Sequence, residues 1–283
     1  MIPKRILAVH DISGIGKCSL TAALPILSAF GHEVAALPTA VLSTHTGDID
    51  GVVYHDLTRE LPRIIRHWSD LELRFDAIYT GFMSSSEQID TLIESLPLVC
   101  GADTLLFVDP VIGDNGAIYK TYTAEMVRSM RRLVERADII TPNRTEAAIL
   151  TGGEYRRGVL SESEVCDTCR ALSRLGPSTV VISDVETTPG KTGAAAYSAD
   201  TGAFSVRERE RVPGIWYGTG DIFASVILGA LAHGADIADA LRLAVDFVYM
   251  AIEDTHRNGT DPRFGVAFEQ NLRMLTEFNN GIQ

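Results

Sequence analysis

The sequence predicts an α/β fold with a mainly parallel sheet, and two observations support this prediction. Strand-like and helix-like segments alternate along the whole chain, and most of the strand-like segments are continuously apolar. Apolar strands that alternate with helices are typical of a parallel sheet with helices packed on both faces. The length of 283 residues is sufficient for one large α/β domain. We therefore expect residues 1–283 to form a single domain.

The first half of the chain is predicted to contain four strands and three helices. The strands are apolar runs at residues 4–10, 33–43, 75–83 and 104–111. The helices are expected at residues 19–31, 54–73 and 86–101, where apolar residues recur at helical spacing. The first of these helices ends at Gly31, and Ser-Ser-Glu before the third provides capping groups.

The second half continues the alternation and ends in two long helices. Strands are predicted at residues 138–143, 178–184, 193–198 and 202–212, the last two as an antiparallel pair around the turn Asp200-Thr201-Gly202. Helices are predicted at residues 123–137, 144–152, 162–176, 221–234 and 236–255.

Composition excludes several classes of protein. The formal net charge of −12, with no run of Lys and Arg, argues against a nucleic-acid partner. No stretch approaches the roughly 18 apolar residues of a membrane span, and the first residues do not resemble a signal peptide. We expect a cytoplasmic protein with reduced cysteines. Cys166 and Cys169 have C-x-x-C spacing but lie in an amphipathic helix, which favours two thiols near a core face over a redox or zinc site.

The glycine-rich stretch HDISGIGKCSL at residues 10–20 is similar to a phosphate-binding loop but does not satisfy either nucleotide motif. Asp11 stands where the P-loop requires its first glycine, and Cys18 replaces the hydroxyl that contacts Mg²⁺. Ser19 occupies the third glycine position of the dinucleotide motif. Two interpretations remain: a tight turn that needs small residues, or a loop that contacts a substrate at the carboxyl edge of the sheet.

The stretch Gly218-Thr219-Gly220-Asp221 precedes a strongly apolar helix and carries the main chemical signal. Glycines allow a tight turn, and the free N–H groups at a helix start form an anion site. Asp221 is then either a helix cap or a base that takes a proton from a hydroxyl as it attacks phosphorus. The pattern therefore indicates phosphoryl transfer, with helix capping as the structural alternative.

Three further loops carry polar residues at the predicted carboxyl ends of strands. Carboxylate and amide oxygens in these positions are suitable ligands for Mg²⁺, directly or through water. The turn at residues 114–116 is also expected to form a flap, which extends to residue 119. The residues concerned are Asp109, Asp114, Asn143, Glu146, His45 and Thr46, with Tyr119 in the flap.

Six motifs, in order along nearly the whole chain, resemble the pyridoxal kinase branch of the ribokinase-like superfamily. They are the Ser-Gly loop at residues 13–14, LSTHTG (42–47), YTGF (79–82), DPVIGDNGAIY (109–119), ITPNRTEA (140–147) and GTGDIFAS (218–225). The resemblance implies a three-layer α/β/α fold, ribokinase-like. It also implies ATP-dependent phosphorylation of the 5′-hydroxyl of a vitamin B6 vitamer, and a homodimer.

The resemblance implies the following site residues. The catalytic base is Asp221, with an anion hole at Gly218, Thr219 and Gly220. Mg²⁺ lies near Asp109 and Glu146. The nucleotide lies near Asp114, Thr141, Asn143, Ser183 and Thr219. The vitamer lies near Asp11, Ser13, Thr46, Phe82 and Tyr119. The preferred nucleotide and any need for a monovalent cation stay open.

One departure from the family pattern concerns the vitamer pocket. Many pyridoxal kinases have Ser-His at the end of the first strand, where this chain has Asp11-Ile12-Ser13-Gly14. We expect Asp11 to pair with a protonated ring nitrogen or a substrate amine, which would favour pyridoxamine. The Ser-Gly element is also similar to that of hydroxymethylpyrimidine kinases, many of which have Cys where Asp221 stands.

The alternatives are a kinase for hydroxymethylpyrimidine or another small hydroxymethyl compound, a non-catalytic vitamer-binding protein, and a protein in which every motif is only a cap. A substrate panel separates the kinases from one another. The intact Asp221 argues against a protein that only binds, because binding has no need of a base there.

Overall fold

The structure is a computed structural model that describes residues 3–281. Nine strands form one sheet. In spatial order they are β11 (Phe204–Glu210), β10 (Lys191–Ser198), β9 (Thr179–Val185), β8 (Ile139–Ile140), β5 (Cys100–Val108), β4 (Phe75–Thr80), β1 (Arg5–Ile15), β2 (Glu33–Thr44) and β3 (Tyr54–Asp56).

The six central strands, from β9 to β2, are parallel to one another. The strands at the two edges are antiparallel: β3 beside β2, and β10 with β11 beside β9. This arrangement confirms the predicted mainly parallel sheet and the antiparallel pair at its end.

Helices cover both faces of the sheet. They are α1 (Ser19–Ala29), α2 (Leu61–Asp70), α3 (Ser86–Val99), α4 (Ala124–Val134), α5 (Arg144–Thr151), α6 (Glu162–Ser173), α7 (Thr219–Ala232), α8 (Ile237–Asn258) and α9 (Leu272–Gly281). Alternate residues of β1 point to opposite faces, so Ile6 packs in one core with α1, α7 and α8, whereas Leu7 packs in the other with α2 to α6. The predicted three-layer α/β/α fold is confirmed.

Two elements differ from the sequence prediction. β1 was expected to end at His10 but continues to Ile15, because it keeps pairing with β2 after a register shift between His10 and Ile12. The segment Tyr54–Asp56 was expected to be helical but is the edge strand β3, and the helix begins only at Leu61. Backbone pairing with β2 decides its conformation, which local periodicity does not report.

The order of the strands places a crevice between β1 and β4. The chain passes from β1 to β2 on one side and later returns to β4 on the other side of β1. Ligands of open α/β sheets bind at the carboxyl ends of the strands where the order reverses in this way. A small hairpin formed by β6 (Gly113–Asp114) and β7 (Ala117–Ile118) follows β5 at the same edge. Within residues 3–281, no helix is long and apolar enough to cross a membrane.

Candidate active site

The turn before α7 leaves the start of this helix open. Gly218 is the N-cap and has φ = 75°, and a Cβ there would lie 2.0 Å from the carbonyl oxygen of Lys17, so only glycine fits. No side chain among the described residues caps the helix. The first N–H groups of a helix have no partner within it, and α7 thus presents those of Thr219 and Gly220 to an anion. A Cβ at Gly220 would meet no atom within 4 Å, which shows the space beside them.

Asp221 lies in the first turn of α7, and both of its carboxylate oxygens are engaged. Oδ1 is 2.9 Å from Nε2 of His10. Oδ2 accepts the backbone N–H of Ser19, the first residue of α1, at 2.8 Å. Each carboxylate oxygen accepts more than one hydrogen bond, so a lone pair remains for a substrate hydroxyl.

His10 connects Asp221 to Asp11, and its role was not predicted from the sequence. The ring is buried, with Nε2 directed to Asp221 and Nδ1 lying 3.0 Å from Oδ1 of Asp11. The only local signal was a His-Asp pair at the end of an apolar strand. The partner Asp221 is 211 residues away in sequence, so no spacing pattern points to this contact.

The opposite charges of His10 and the carboxylates of Asp221 and Asp11 stabilise one another. Burial by itself lowers the pKa of His10, but the neighbouring charges of Asp221 and Asp11 outweigh it and raise that pKa to about 10. Burial by itself raises the pKa of Asp221, but the charge and hydrogen bond of His10 hold it below its ordinary value. Asp221 is therefore an ionised carboxylate at neutral pH, as a proton acceptor must be.

Asp11 has several internal hydrogen-bond partners. Its carboxylate accepts the hydroxyl of Ser19 at 2.5 Å and that of Ser13 at 3.3 Å, in addition to facing His10. Its side chain is 6% exposed. These partners occupy the carboxylate of Asp11, and its predicted contact with a ring nitrogen or an amine, with the expected preference for pyridoxamine, stays a prediction. Ser13 is buried too and points towards Asp11.

Asp109 and Glu146 form a second, acidic part of the site. Asp109 directly follows β5, and both residues are buried. Glu146 accepts the backbone N–H of Ile112 at 2.8 Å and that of Asn143 at 2.9 Å. Burial raises the pKa of the Asp109 carboxyl well above its ordinary value, and the charges of Glu146 and Asp221 act in the same direction.

A hard cation would offset this excess of buried negative charge, and carboxylate oxygens are the ligands that Mg²⁺ prefers. The hydroxyl of Thr141, also buried, has no hydrogen-bond partner among the described residues. In residues 3–281 no group of three or more His, Cys, Asp and Glu side chains could hold a metal ion. Two carboxylates fit Mg²⁺, because this ion usually takes one or two carboxylates and completes its shell with water and phosphate oxygens.

Asn143 organises the acidic part of the site. It is the N-cap of α5, where its Oδ1 accepts the N–H groups of Thr145 and Glu146. Its Nδ2 donates to the carbonyl of Gly113 at 2.8 Å, which attaches α5 to the hairpin. The helix-cap interpretation is thus confirmed, and the predicted nucleotide contact stays a prediction. Ser183, another predicted nucleotide residue, lies beside Asn143 through an isolated parallel bridge.

The hairpin of β6 and β7 matches the predicted flap. Its turn has Asn115 at φ = 53° and Gly116 at φ = 82°, the positive values that a two-residue hairpin turn requires. The carboxylate of Asp114 accepts the backbone N–H of Asn115 at 2.7 Å and is exposed. Tyr119 is 41% exposed. Both side chains are accessible to a ligand, as their predicted roles require.

Phe82 and Thr46 lie on opposite sides of β1. Phe82 follows β4 and donates its backbone N–H to Nδ1 of His10 at 3.2 Å, so its half-buried ring is next to the base cluster. Thr46 is exposed in the loop after β2. Its neighbour His45 stacks on Tyr217, with ring centroids 5.0 Å apart, which joins this loop to the turn before α7. The predicted vitamer contacts of Phe82 and Thr46 stay predictions.

Comparison with known proteins gives a consistent result. Residues 21–263 match the phosphomethylpyrimidine kinase family. The pyridoxal kinase of Leifsonia xyli subsp. xyli is 29% identical over 266 residues, which cover 90% of each chain. One crystal structure is that of a proposed phosphomethylpyrimidine kinase from Bacteroides thetaiotaomicron, which is 40% identical to this chain. It superposes with a TM-score of 0.93, and the match covers 97% of this chain and 94% of that one. A second form of that crystal was determined with pyridoxal. The pyridoxal kinase of Lactobacillus plantarum is 34% identical with a TM-score of 0.89 and covers 99% of both chains.

The fold and the site together define a small-molecule kinase of the ribokinase-like class. The chain belongs to the phosphomethylpyrimidine kinase family. Its similarity to pyridoxal kinases confirms the resemblance that the six sequence motifs indicate.

Proposed function

We propose that this chain transfers the γ-phosphoryl group of ATP to the 5′-hydroxyl of a vitamin B6 vitamer. The observation that carries the proposal is the position of Asp221. Its ionised carboxylate lies in the first turn of a helix whose N–H groups are free, at the edge of the sheet where ligands bind. A base beside an anion site is what phosphoryl transfer to an alcohol requires.

The choice of vitamer class is supported by the relatives. Proteins named pyridoxal kinase match 84% or more of this chain, and the relative from B. thetaiotaomicron was crystallised with pyridoxal. A second candidate substrate is a hydroxymethylpyrimidine, which also presents a primary hydroxyl on a flat heteroaromatic ring; the family name refers to the corresponding phosphomethyl compound. Asp221 suits either acceptor, because its role depends only on the hydroxyl.

In the proposed reaction, Asp221 accepts the proton of the hydroxyl while its oxygen attacks the γ-phosphorus in line. The N–H groups of Thr219 and Gly220 stabilise the negative charge on the transferred group. The hairpin at residues 113–118 covers the reacting atoms and excludes water, which otherwise competes as acceptor.

The nucleotide is proposed to lie along Asp114, Thr141, Asn143, Ser183 and Thr219. Asn143 and Ser183 are neighbours through the bridge between the ends of β8 and β9, which supports a shared role. Asp109 and Glu146 would hold Mg²⁺. When bound, Mg²⁺ neutralises charge on the β- and γ-phosphate oxygens.

We also propose that residues 1–283 act as one domain and that the chain forms a homodimer. One sheet includes strands from Arg5 to Glu210, which supports a single domain. Val41, Val53 and Tyr54 are 42%, 70% and 42% exposed along the β2–β3 edge, which supports a second copy as their cover. Light scattering coupled to gel filtration measures the mass directly.

The test is an assay of ADP release with Mg-ATP against pyridoxal, pyridoxine, pyridoxamine and hydroxymethylpyrimidine. We expect turnover on a B6 vitamer, and a fall in kcat of roughly 10²-fold or more in Asp221→Asn with little change in ATP affinity. Turnover on the pyrimidine alone would change the assigned substrate and leave the proposed mechanism unchanged. Absence of turnover on all four would contradict the proposal and favour a protein that only binds the vitamer.

A further inference from the structure

His10 is a deeply buried polar side chain at the centre of the site. Its ring is 1% exposed and lies between two carboxylates, with Asp221 on the Nε2 side and Asp11 on the Nδ1 side. Burying an imidazole in such a place is unfavourable unless its nitrogens are paired. The arrangement therefore indicates a specific role for this residue.

The hydrogen on Nε2 follows from the partners of the ring. The backbone N–H groups of Asp11 and Phe82 point at Nδ1, at 3.0 and 3.2 Å, and in a neutral ring they make Nδ1 the acceptor and Nε2 the donor. In a charged ring both nitrogens carry hydrogen, and Nδ1 donates to Asp11. In either state Nε2–H donates to Oδ1 of Asp221.

The position of the ring is fixed by close packing. A Cβ added at Gly81 would lie 2.0 Å from the ring, so the ring lies directly against the backbone after β4. The ring of Tyr79 meets it edge to face, with centroids 6.2 Å apart. Packing on one side and two carboxylates at its ends leave the ring a single orientation.

We propose that His10 is a positioning residue for the base, holding the Asp221 carboxylate with one oxygen bonded by Nε2–H and a free lone pair towards the acceptor hydroxyl. This inference rests on the proposed function, in which Asp221 is the base. Asp11 acts one step further away and holds the ring of His10.

Ser19 gives independent support for the same cluster. It is a non-glycine residue with φ = 53°, in the strained left-handed region, at the start of α1. In this conformation its N–H reaches Asp221 while its hydroxyl reaches Asp11. Strain of this kind persists where the surrounding contacts compensate for it. Here the strained Ser19 at the start of α1 contacts the carboxylate of Asp221 in α7 and that of Asp11 in β1.

Two substitutions separate the donated hydrogen bond from the presence of the ring. His10→Ala removes the donor, whereas His10→Gln keeps an N–H donor of similar reach and cannot become charged. We expect kcat to fall about 10- to 100-fold in His10→Ala, because a small misplacement of a catalytic group has an effect of this size. The KM for ATP should not change, and His10→Gln should recover most of kcat.

The pH profile adds a readout that a merely structural role would not change. Without His10 the pKa of Asp221 rises, so the acid limb of kcat/KM moves to higher pH in His10→Ala. Among the described residues, the other titratable groups with an electrostatic interaction with this pair are Asp11, Cys18, His45, Tyr79, Asp109 and Tyr119, and none of these residues is substituted in the variant.

His32→Ala is the matched control, since it removes a second buried imidazole, whose contact with α7 is at Gly229, about two turns from Asp221. Thermal denaturation of each variant separates loss of fold from loss of positioning. A folded His10→Ala enzyme that keeps more than half of its kcat would overturn the inference. So would a folded His10→Gln enzyme as inactive as His10→Ala.

A measurement without turnover keeps the inference separate from the proposed function. The carboxyl ¹³C signal of Asp221, assigned by its loss in Asp221→Asn, reports the pKa of that group directly. We expect this pKa to be higher in His10→Ala than in the unaltered protein, whether or not a substrate has been found. Equal values in the two proteins would contradict the contact, whereas an inactive unaltered protein would contradict only the kinase function.

Discussion

Adding one methyl group at Gly81 should disable the base without touching any reacting residue. The Gly81 Cα lies against the His10 ring, and an added Cβ would come 2.0 Å from it. Carbon atoms in contact lie about 3.5 Å apart or more, so the ring must move by about 1.5 Å. Nε2 of His10 is itself one of the ring atoms 2.0 Å from the added Cβ, so the displacement moves the donor of the 2.9 Å hydrogen bond to Asp221, and this bond is lost once its length exceeds about 3.5 Å.

The expected result for Gly81→Ala is a loss in kcat of about 10²-fold, as for other misplaced catalytic groups. Overpacking should also lower stability by about 1–3 kcal/mol. The ADP-release assay measures the first effect and thermal denaturation the second.

Gly101→Ala is the matched control. Neither glycine has a positive φ, so alanine is allowed at both, and the nearest atom to a Cβ at Gly101 is the hydroxyl of Thr104 at an ordinary 3.7 Å. This variant should keep its full kcat. The reasoning is refuted if Gly81→Ala folds and turns over as fast as Gly101→Ala.

Three further predictions concern the helix start, the acidic pair and a buried histidine. Gly218→Ala should abolish most turnover and lower Tm, since its Cβ would lie 2.0 Å from the carbonyl oxygen of Lys17; normal kinetics would show that the turn adapts. Glu146→Gln should raise the Mg²⁺ concentration needed for half-maximal activity, which a titration measures. An unchanged midpoint would show that Glu146 does not bind Mg²⁺. Burial lowers the pKa of His32, which donates from Nε2 to the carbonyl of Gly229, so protons bind this group more tightly in the unfolded chain. Its contribution to stability is therefore lost as pH falls through the unfolded value near 6.5. Urea denaturation from pH 7.5 to 5.5 should show a smaller decline in the free energy of unfolding for His32→Gln, and an equal decline would contradict this.

Capping and turn chemistry were predictable because they depend on neighbours in sequence. Ser85 accepts the N–H of Gln88 at the start of α3, as the Ser-Ser-Glu pattern indicates. Asn143 caps α5, and Asn115-Gly116 forms the hairpin turn. The C-x-x-C cysteines are two free, buried thiols of α6, as the amphipathic pattern favours, and burial raises the pKa of Cys169 to about 12.

Pairing between distant parts of the chain was not predictable. The segment Tyr54–Asp56 looked helical but joins the edge of β2 as a strand. The position of Asp11 in a glycine-rich loop was visible in the sequence, but its internal partners were not. The hydroxyls of Ser13 and Ser19 and the ring of His10 enclose it only after β1 is extended and α1 is in place.

The sequence by itself determined the alternation of strands and helices, the open glycine turn before α7 and the presence of a carboxylate in its first turn. These features depend on spacing over a few residues, which local backbone geometry converts directly into structure. Only the tertiary structure decided which group holds that carboxylate. His10 and Asp221 are 211 residues apart, and they meet because β1 is an interior strand of the sheet and α7, packed on α1, places its first turn beside His10 of that strand. A contact of this kind follows from the order of the strands, which no local pattern specifies.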